Sequence, residues 1–337
     1  RGCDIARRLA GKADVLVENF LPGAMDRMGL GYAALSAENP SLVYVSNTGF
    51  GQSGPYRDRN GYDTIFQALS GVMDLTGHPD GPPAKVGVPF ADLTSGLWIA
   101  MAAMTGLLGR ANTGKGAHVD VAMMDVQVSL LTIAAARYFA LGETPHRTGT
   151  EHPGRVPSAA FQCRDGGWLH ISGSDQHWAR ICKVLGLDDL AADRALDDNA
   201  VRVAQRERVM AAMRSAVAAR DRTPLAEALR AAGVPAGEVN SVSESIEDPH
   251  IQARGVVGSF DHPGEGSVRA LRTPLRFEGL DGPEIGTPPG LGADADARLS
   301  DELGPGAGAI AERRQAGPIG WPTAPSSASS ATAPSQA

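Results

Sequence analysis

Short apolar runs alternate with helical patterns over residues 1–125, and this alternation limits the possible folds more than any other feature. The runs Val15–Val17 and Leu42–Val45 are predicted strands, and each follows a segment with a helical pattern. A helix near Met25 separates them. Strands and helices that alternate in this way are typical of a doubly wound α/β layer. The sequence therefore predicts an α/β fold.

The clearest helix is predicted at Leu93–Gly109. After it, Thr113–Gly116 turns the chain into the strand Ala117–Ala122, and a long helix is predicted at Asp125–Leu141. Apolar residues recur at spacings of four and three along the first of these helices, which gives it one apolar face. They are Leu93, Leu97, Met101, Met104 and Leu108.

A second region of different character follows. A strand with period two at Trp168–Ile171 precedes a predicted helix at Gln176–Leu185. One side of that helix carries Trp178, Ile181, Cys182 and Leu185. Thr223, Pro224 and Gly233 stand where the N-cap, the first-turn proline and the C-terminal glycine of another helix belong. This region is predicted to be a smaller α+β domain.

The predicted organisation divides the chain into four parts. They are a large α/β domain (1–140), a linker and small domain (141–240), a return to the large domain (241–317) and a tail (318–337). The tail is rich in Ser, Ala and Pro and is predicted to be disordered, because such residues cannot offset the entropy of ordering. The chain starts with Arg1 rather than Met, so we expect its natural beginning to be absent.

Charge and cysteine content exclude several classes of partner. The net charge of −7 argues against a nucleic-acid or anionic-membrane partner. Cys3, Cys163 and Cys182 are odd in number and lack metal-ligand spacing, as in a protein of the reducing cytoplasm. No run approaches the roughly eighteen apolar residues of a membrane span, and no signal peptide is found. A cytoplasmic globular protein without a bound metal is expected.

A glycine pattern follows the second strand. Gly49, Gly51 and Gly54 have the spacing of a dinucleotide-binding fingerprint, which requires a helix directly after the third glycine. Here Pro55 and a polar run follow instead, and the acidic residue about twenty positions on, Asp74, lies among turn formers. Dinucleotide binding is therefore disfavoured. The glycines still indicate a close backbone approach.

Asp92 lies at the start of the clearest helix and is predicted to be its N-cap. An aspartate cap satisfies free amides and contributes about 0.5–2 kcal/mol, so a structural role is one interpretation. The positive end of a helix also stabilises an ionised carboxylate, and a carboxylate can act as a nucleophile toward an activated acyl group. The position of Asp92 alone does not decide between the structural and the catalytic interpretation.

Six motifs occur in one order with family-like spacing: Glu18–Gly23, Asp26–Leu30, Gly49–Pro55, Gly61–Asp63, Gly87–Gly96 and Thr113–Asp120. Together they resemble the class III CoA-transferases, the CaiB/BaiF family, over about residues 1–317. The resemblance implies a Rossmann-like large domain, a smaller α+β domain and an interlocked homodimer. It implies that the chain binds coenzyme A as an acyl-CoA substrate and has no tightly bound cofactor.

The resemblance also assigns roles to residues. Asp92 is implied to be the nucleophile that passes through a mixed anhydride and an aspartyl-CoA thioester. The residues implied to line the CoA site are Asn19, Phe20, Arg27, Met28 and Tyr62. Arg57 or Arg59 are further candidates to meet the CoA phosphates. The Gly49 loop is implied to be a close-packed turn beside the acyl-CoA cleft.

Two alternatives accompany this interpretation. The resembling acyl-CoA racemases carry a histidine where this chain has Tyr62, and tyrosine is a poor base near neutral pH, so transfer is favoured. His118, His170 and His177 are expected to be structural or surface residues.

The first βα units of the family pattern are missing, so a catalytically inactive fragment is the second alternative. The acid could be a short dicarboxylate, a carnitine-like acid or an aromatic acid.

Overall fold

The computed structural model of the 337-residue chain describes residues 2–279, 285–290, 292–295, 297 and 300. The chain forms two compact units. The first contains the residues up to 62, residues 91–126 and those described from 246 on, and the second contains 63–90 and 127–245. The predicted domain boundaries stay a prediction, and the observed units differ from them by placing 63–90 and 127–140 in the second unit. The predicted tail at 318–337 lies outside the described residues.

Helices and strands alternate along the described chain. The strands are β1 (Val15–Glu18), β2 (Val43–Thr48), β3 (Ala117–Ala122), β4 (Ser158–Gln162), β5 (Trp168–Ser172), β6 (Ala236–Glu238), β7 (Val257–His262) and β8 (Gly266–Leu271). The α-helices are α1 (Gly2–Ala10), α2 (Ala24–Arg27), α3 (Tyr32–Glu38), α4 (Asp63–Leu69), α5 (Val72–Leu75), α6 (Phe90–Thr113), α7 (Met123–Ser129), α8 (Thr132–Leu141), α9 (Asp175–Leu185), α10 (Asp188–Ala192), α11 (Asn199–Ala204), α12 (Arg206–Ala218), α13 (Arg222–Ala231), α14 (Val242–Ile246) and α15 (Pro249–Ala253).

A parallel three-stranded sheet is the centre of the first unit. The strand order is β1-β2-β3, with Val15 opposite Val43 and Val43 opposite Ala117. All of β2 is buried, as expected for a strand with a neighbour on each side. The predicted strands are confirmed here. Because the strands are parallel, their carboxyl ends at Glu18, Thr48 and Ala122 share one edge of the sheet.

Helix α6 packs on this sheet through a face that combines aliphatic side chains with alanine and glycine. Ile99, Ala102, Ala103 and Leu107 lie against the apolar side chains of β2 and β3. At Gly106 the helix is so close to the sheet that a Cβ atom would lie 2.5 Å from Val43 Cγ1. Short side chains allow this approach, and they therefore determine which face of α6 is buried.

The apolar face predicted for this helix is exposed to solvent within the chain. Its members are Leu93, Leu97, Met101, Met104 and Leu108, which are 50–70% exposed. An apolar helix face normally covers a core, so the structure reverses that expectation. The spacing of the residues identified the face correctly, but the side chains opposite it make the closer contact with the sheet.

Two further sequence-based statements about the long helices are wrong. The helix predicted at Asp125–Leu141 is two helices, α7 and α8, with a bend of 67° between them. Its apolar pattern continues across the break, so the sequence gives no sign of it. The sequence was also expected to contain no segment apolar enough to span a membrane. By length and composition, however, α6 is able to cross one, and so are α7 and α8 taken as one bent span. That test is met by core helices of soluble proteins as well.

The second unit is built on an antiparallel sheet of β4, β5 and β6. Helix α9 buries the four residues predicted to share one side, so that prediction is confirmed. Helix α13 begins at Arg222 with Asp221 as its N-cap, so Thr223 is the second helical residue and not the cap. The Asp221 carboxylate bonds Arg164 instead of capping the helix. Gly233 follows the helix with φ of +72°, as predicted.

Candidate active site

The carboxyl edge of the parallel sheet carries several of the predicted site residues. Asn19 and Phe20 follow β1 directly. Asn19 Nδ2 donates a 2.6 Å hydrogen bond to the backbone carbonyl of Asn47 near the end of β2. The backbone amide of Phe20 donates to Glu18 Oε2 at 2.8 Å, and the Phe20 ring is 55% exposed. Open α/β sheets bind ligands at this edge.

The glycine loop after β2 is a close-packed turn. Gly51 has φ of +87°, and a Cβ atom there would lie 3.3 Å from Asp120 Oδ2 and 3.5 Å from the Ala122 Cβ. The amide of Gly51 donates to Thr48 Oγ1, and the amide of Gln52 donates to Asp120 Oδ2. Residues 49–62, all described, contain no helix. The amides at 51 and 52 therefore hold the turn and are not open to a pyrophosphate.

Asp92 is the third residue of α6 and not its N-cap, because the helix begins at Phe90 directly after Pro89. Its side chain is exposed in the first turn. A negative charge in the first turn is stabilised by the helix dipole, by about 0.3–1 kcal/mol at an exposed position. Asp92 therefore lies at the positive end of the helix, as predicted, although it is not the N-cap.

The position of Asp92 along the sheet follows from contacts made nearer the C-terminal end of α6. Arg110 pairs with Asp14 at 2.9 Å, beside the amino end of β1, and Gly106 lies on Val43. Asp92 is about 21 Å from Gly106 along a helix with a rise of about 1.5 Å per residue. Strand β2 advances only about 17 Å from Val43 to its carboxyl end. The first turn of α6 therefore reaches the carboxyl edge of the sheet.

Among the described residues of this unit, two buried polar atoms lack hydrogen-bond partners. They are Ser95 Oγ, in α6, and Asn47 Oδ1, in β2. Ser95 is fully buried and Asn47 is 7% exposed. Leaving such an atom unpaired costs about 1–3 kcal/mol, and each case calls for a specific explanation. Sequence analysis identified neither residue, although the polar end of β2 after an apolar run was a usable signal for Asn47.

Arg27 and Arg57 converge beside Gly23. Arg27 ends α2, and Gly23 precedes that helix with φ of +77°. A Cβ atom at Gly23 would lie 3.4 Å from Arg27 Nη1 and 3.7 Å from Arg57 Nη2. Arg57 is carried by the turn that follows Gly54, to whose carbonyl its amide donates at 3.3 Å. Met28 follows Arg27 and is 38% exposed.

Tyr62 and Arg59 are placed differently. Tyr62 is 82% exposed, and within the described chain no hydrogen bond, ion pair or ring contact involves it. Arg59 lies over the ring of Tyr56, 3.5 Å from its centroid, and the same ring meets Phe50 edge to face. The structure therefore groups Asn19, Phe20, Arg27 and Met28 on one segment after β1, and gives no contact that joins Tyr62 to them.

Two buried ionisable side chains, Tyr44 and Cys182, are poor candidates for acid–base or nucleophilic chemistry. Burial, with smaller effects of the Glu18 and Asp26 carboxylates, raises the pKa of Tyr44 far above its usual value. Tyr44 stays neutral and its hydroxyl donates to the Leu30 carbonyl. Burial also raises the pKa of Cys182 to about 11, which leaves its thiol protonated and unreactive.

A cavity of about 760 Å³ lies within the second unit. Its arginines already have carboxylate partners. Glu151 joins Arg206 and Arg214 at 3.1 and 2.7 Å, and Arg147 pairs with Asp74 at 2.8 Å. Because each of these arginines already contacts a carboxylate, we place the anionic ligand beside Gly23, where Arg27 contacts none among the described residues.

Comparison with known proteins gives one family. The model of CoA-transferase family III matches residues 1–295. The succinate–glutarate CoA-transferase of Agrobacterium fabrum is 37% identical over 274 residues, which are 81% of this chain and 68% of that protein. The acetyl-CoA:oxalate CoA-transferase of Acetobacter aceti is 38% identical over 81% of this chain and 69% of its own.

The fold is also shared with a solved structure. The crystal structure of a CaiB/BaiF family protein from Brucella suis superposes with a TM-score of 0.78 at 39% identity, and the match covers 89% of this chain and 78% of that one. The mixed α/β fold predicted from the sequence is therefore confirmed.

Proposed function

The chain belongs to CoA-transferase family III and is a CoA-transferase, which moves CoA from an acyl-CoA to a free carboxylic acid, and we propose that Asp92 carries this transfer. One observation supports Asp92 above all. Its exposed carboxylate lies in the first turn of α6, at the carboxyl edge of the parallel sheet. That edge is where an open α/β sheet binds its ligand.

The proposed chemistry begins with Asp92 and the donor. The Asp92 carboxylate attacks the carbonyl carbon of the donor thioester, and the carbon–sulfur bond breaks to give a mixed anhydride and a CoA thiolate. The thiolate then attacks the Asp92 carbonyl, which forms an aspartyl-CoA thioester and releases the donor carboxylate. The acceptor carboxylate repeats the two steps in reverse order. One carboxylate enters and one leaves, so no net proton transfer is needed, but water must be excluded.

The proposed CoA site lies beside this carboxylate on the same sheet edge. Arg27 supplies positive charge for the phosphates, and the exposed surfaces of Phe20, Met28 and Tyr62 supply apolar contact. Asn19 is anchored to the Asn47 carbonyl through Nδ2, which leaves its Oδ1 atom as an acceptor for the ligand. Aromatic and apolar side chains around a few polar groups are typical of nucleotide-derived ligands.

Transfer is confirmed over racemisation by the relatives, which are named as CoA-transferases. Several are named for short diacids, namely succinate, glutarate, oxalate and mesaconate. We therefore propose a short dicarboxylate as the acid, in preference to a carnitine-like or aromatic acid. A Rossmann-like arrangement of the large domain, an interlocked homodimer and a cytoplasmic location remain parts of this proposal. So does the absence of a nucleic-acid or membrane partner.

Intact mass spectrometry tests the role of Asp92. The purified chain is mixed with succinyl-CoA and then with hydroxylamine, beside the Asp92→Asn variant. A hydroxamate mapped to Asp92 in the wild type alone is expected, together with a loss of transfer by at least about three orders of magnitude in the variant.

Two other outcomes separate the alternatives. A wild-type chain that folds and binds CoA but gives no adduct would contradict aspartyl catalysis. A chain that neither folds nor binds CoA would support the inactive fragment. Circular dichroism and calorimetry with CoA distinguish these two cases before the trapping experiment is interpreted.

A further inference from the structure

We propose that Arg57 is a second phosphate-binding residue of the CoA site, which acts together with Arg27 on the same phosphate group. The inference rests on the proposed function, because it takes CoA as the ligand at this edge of the sheet. The observation that carries it is the meeting of two guanidinium groups beside Gly23, from segments that follow two neighbouring strands.

Both guanidinium groups lie close to the position that a side chain at Gly23 would take. Arg27 Nη1 and Arg57 Nη2 lie 3.4 and 3.7 Å from the point where a Gly23 side chain would begin. Gly23 has φ of +77°, a conformation that favours glycine, and so no side chain occupies that point. The two guanidinium groups therefore meet beside the α2 backbone, with no side chain at Gly23 to keep them away.

The charge of the pair is only partly compensated. In the part of the chain that the structure describes, Arg27 has no carboxylate within ion-pair distance, and Arg57 has only Asp58 at 3.5 Å. The Asp58 side chain is 80% exposed, so water screens it strongly. Two like charges held together repel, whereas a phosphate between them would make the arrangement favourable, since each guanidinium can donate two hydrogen bonds to it.

The neighbouring Arg59 does not share this placement. It is stacked on Tyr56 at 3.5 Å, and Tyr56 in turn packs edge to face on Phe50. Stacking of this kind contributes about 0.5–1 kcal/mol at an exposed site and directs the guanidinium toward the ring. Of the two arginines on the loop, the geometry therefore selects Arg57 as the phosphate ligand and Arg59 as a residue that holds the loop.

The test compares ligands with and without phosphates. Binding of coenzyme A and steady-state transfer from succinyl-CoA to glutarate are measured for the wild type, Arg57→Gln and Arg59→Gln. The two variants remove the same charge two residues apart. Arg57→Gln is expected to weaken CoA binding and raise KM about 10- to 100-fold, with kcat changed less than about twofold, because hydrogen bonds to charged groups contribute about 1.5–3 kcal/mol. Arg59→Gln is expected to change both less than about threefold.

Succinyl-pantetheine, which has no phosphate, is the second substrate. Its KM should be the same for the wild type and Arg57→Gln, since the lost contact is to phosphate. An equal loss with both substrates, or equal effects of the two variants, would overturn the assignment of Arg57. A wild type that fails to bind CoA would instead overturn the proposed function itself. Arg57→Lys should recover only part of the affinity, because lysine keeps the charge but loses the planar fork.

Discussion

The sequence predicts one apolar face on each of the helices α9 and α6, yet these faces pack in opposite ways. In α9, of the second unit, the predicted face holds Trp178 and Ile181 at 1% and 0% exposure. In α6 the predicted face holds Leu97 at 70% exposure, and the opposite face lies on the parallel sheet. The comparison teaches that a periodic pattern identifies an apolar face, but the shape of the neighbouring layer decides which face is buried.

The two units also differ in their roles, because one has the larger apolar core and the other carries the candidate site. The second unit contains one continuous core from β4 through α13, and several of its arginines pair with carboxylates. The first unit has smaller clusters of buried apolar residues on either side of its sheet, and it carries the converging arginines. We infer that the second unit supplies most of the packing energy of the chain, while the first is organised around its ligand.

The largest expected effect is the loss of Trp178. Trp178→Ala removes a fully buried ring on which Arg202 also rests, 5.2 Å from the ring centroid. We expect a loss of about 3–5 kcal/mol in the free energy of unfolding, from transfer and cavity formation. Urea denaturation, with hydrogen exchange to localise the change to α9, measures it.

The matched control is Trp98→Ala in α6, where the ring is 43% exposed. It should cost about 2 kcal/mol, less than Trp178→Ala, since part of the Trp98 surface is already in water. Similar losses in the two variants would break the contrast between the helices.

The next largest effect concerns the close approach of α6 to the sheet. Gly106→Ala places a methyl group 2.5 Å from Val43 Cγ1, and the buried β2 cannot move away freely. We expect a loss of about 1–3 kcal/mol from overpacking. Unfolding in urea measures this loss.

Gly109→Ala is its control in the same helix, since nothing lies within 4 Å of a Cβ atom there. Alanine should stabilise an open helical position by about 0.5–1 kcal/mol. The two substitutions are thus expected to have opposite signs. A stabilising Gly106→Ala would show that the helix does not lie as close to β2 as the structure places it.

The fold was predictable from the sequence wherever local pattern and burial agree. The strand at Val15–Val17 and the buried side of α9 were predicted because an apolar run in a parallel sheet, or one apolar helix face, already specifies the environment. The bend between α7 and α8 and the buried face of α6 were not. Both depend on packing against residues distant in sequence, such as Val43 beneath Gly106.

The site was predictable only through the ordered motifs. They selected Asp92, which position alone would have left as a helix cap. The convergence of Arg27 and Arg57 was not predictable, because these residues follow different strands and meet only when β1 and β2 pair. The unpaired Ser95 hydroxyl was not predictable either, because Ser95 is buried on the face of α6 opposite the predicted apolar face.

A smaller effect is expected on the exposed face of α6. Leu97→Gln replaces a side chain that is 70% exposed, and it should change the free energy of unfolding by about 0.5 kcal/mol or less. Denaturation at several protein concentrations measures the change. A loss above about 2 kcal/mol that grows with protein concentration would show that this face is covered in an assembly, and would remove half of the contrast with α9.

The smallest effect is a pH dependence within the second unit. The Ser241 backbone amide, at 2.7 Å, and then the Arg222 guanidinium, at 2.9 Å, lower the pKa of Glu244 from 4.5 to about 2. A carboxylate with a lowered pKa stabilises the fold above its unfolded pKa, and this contribution is lost as the pH falls through its folded pKa. The melting temperature of the wild type should therefore exceed that of Glu244→Gln by a constant amount above about pH 5, and the difference should shrink between pH 4.5 and 2. If the Glu244→Gln difference stayed constant down to pH 2, the carboxylate would contribute no charge-dependent stability, and the matched charges that distinguish this unit would be surface contacts without energetic consequence.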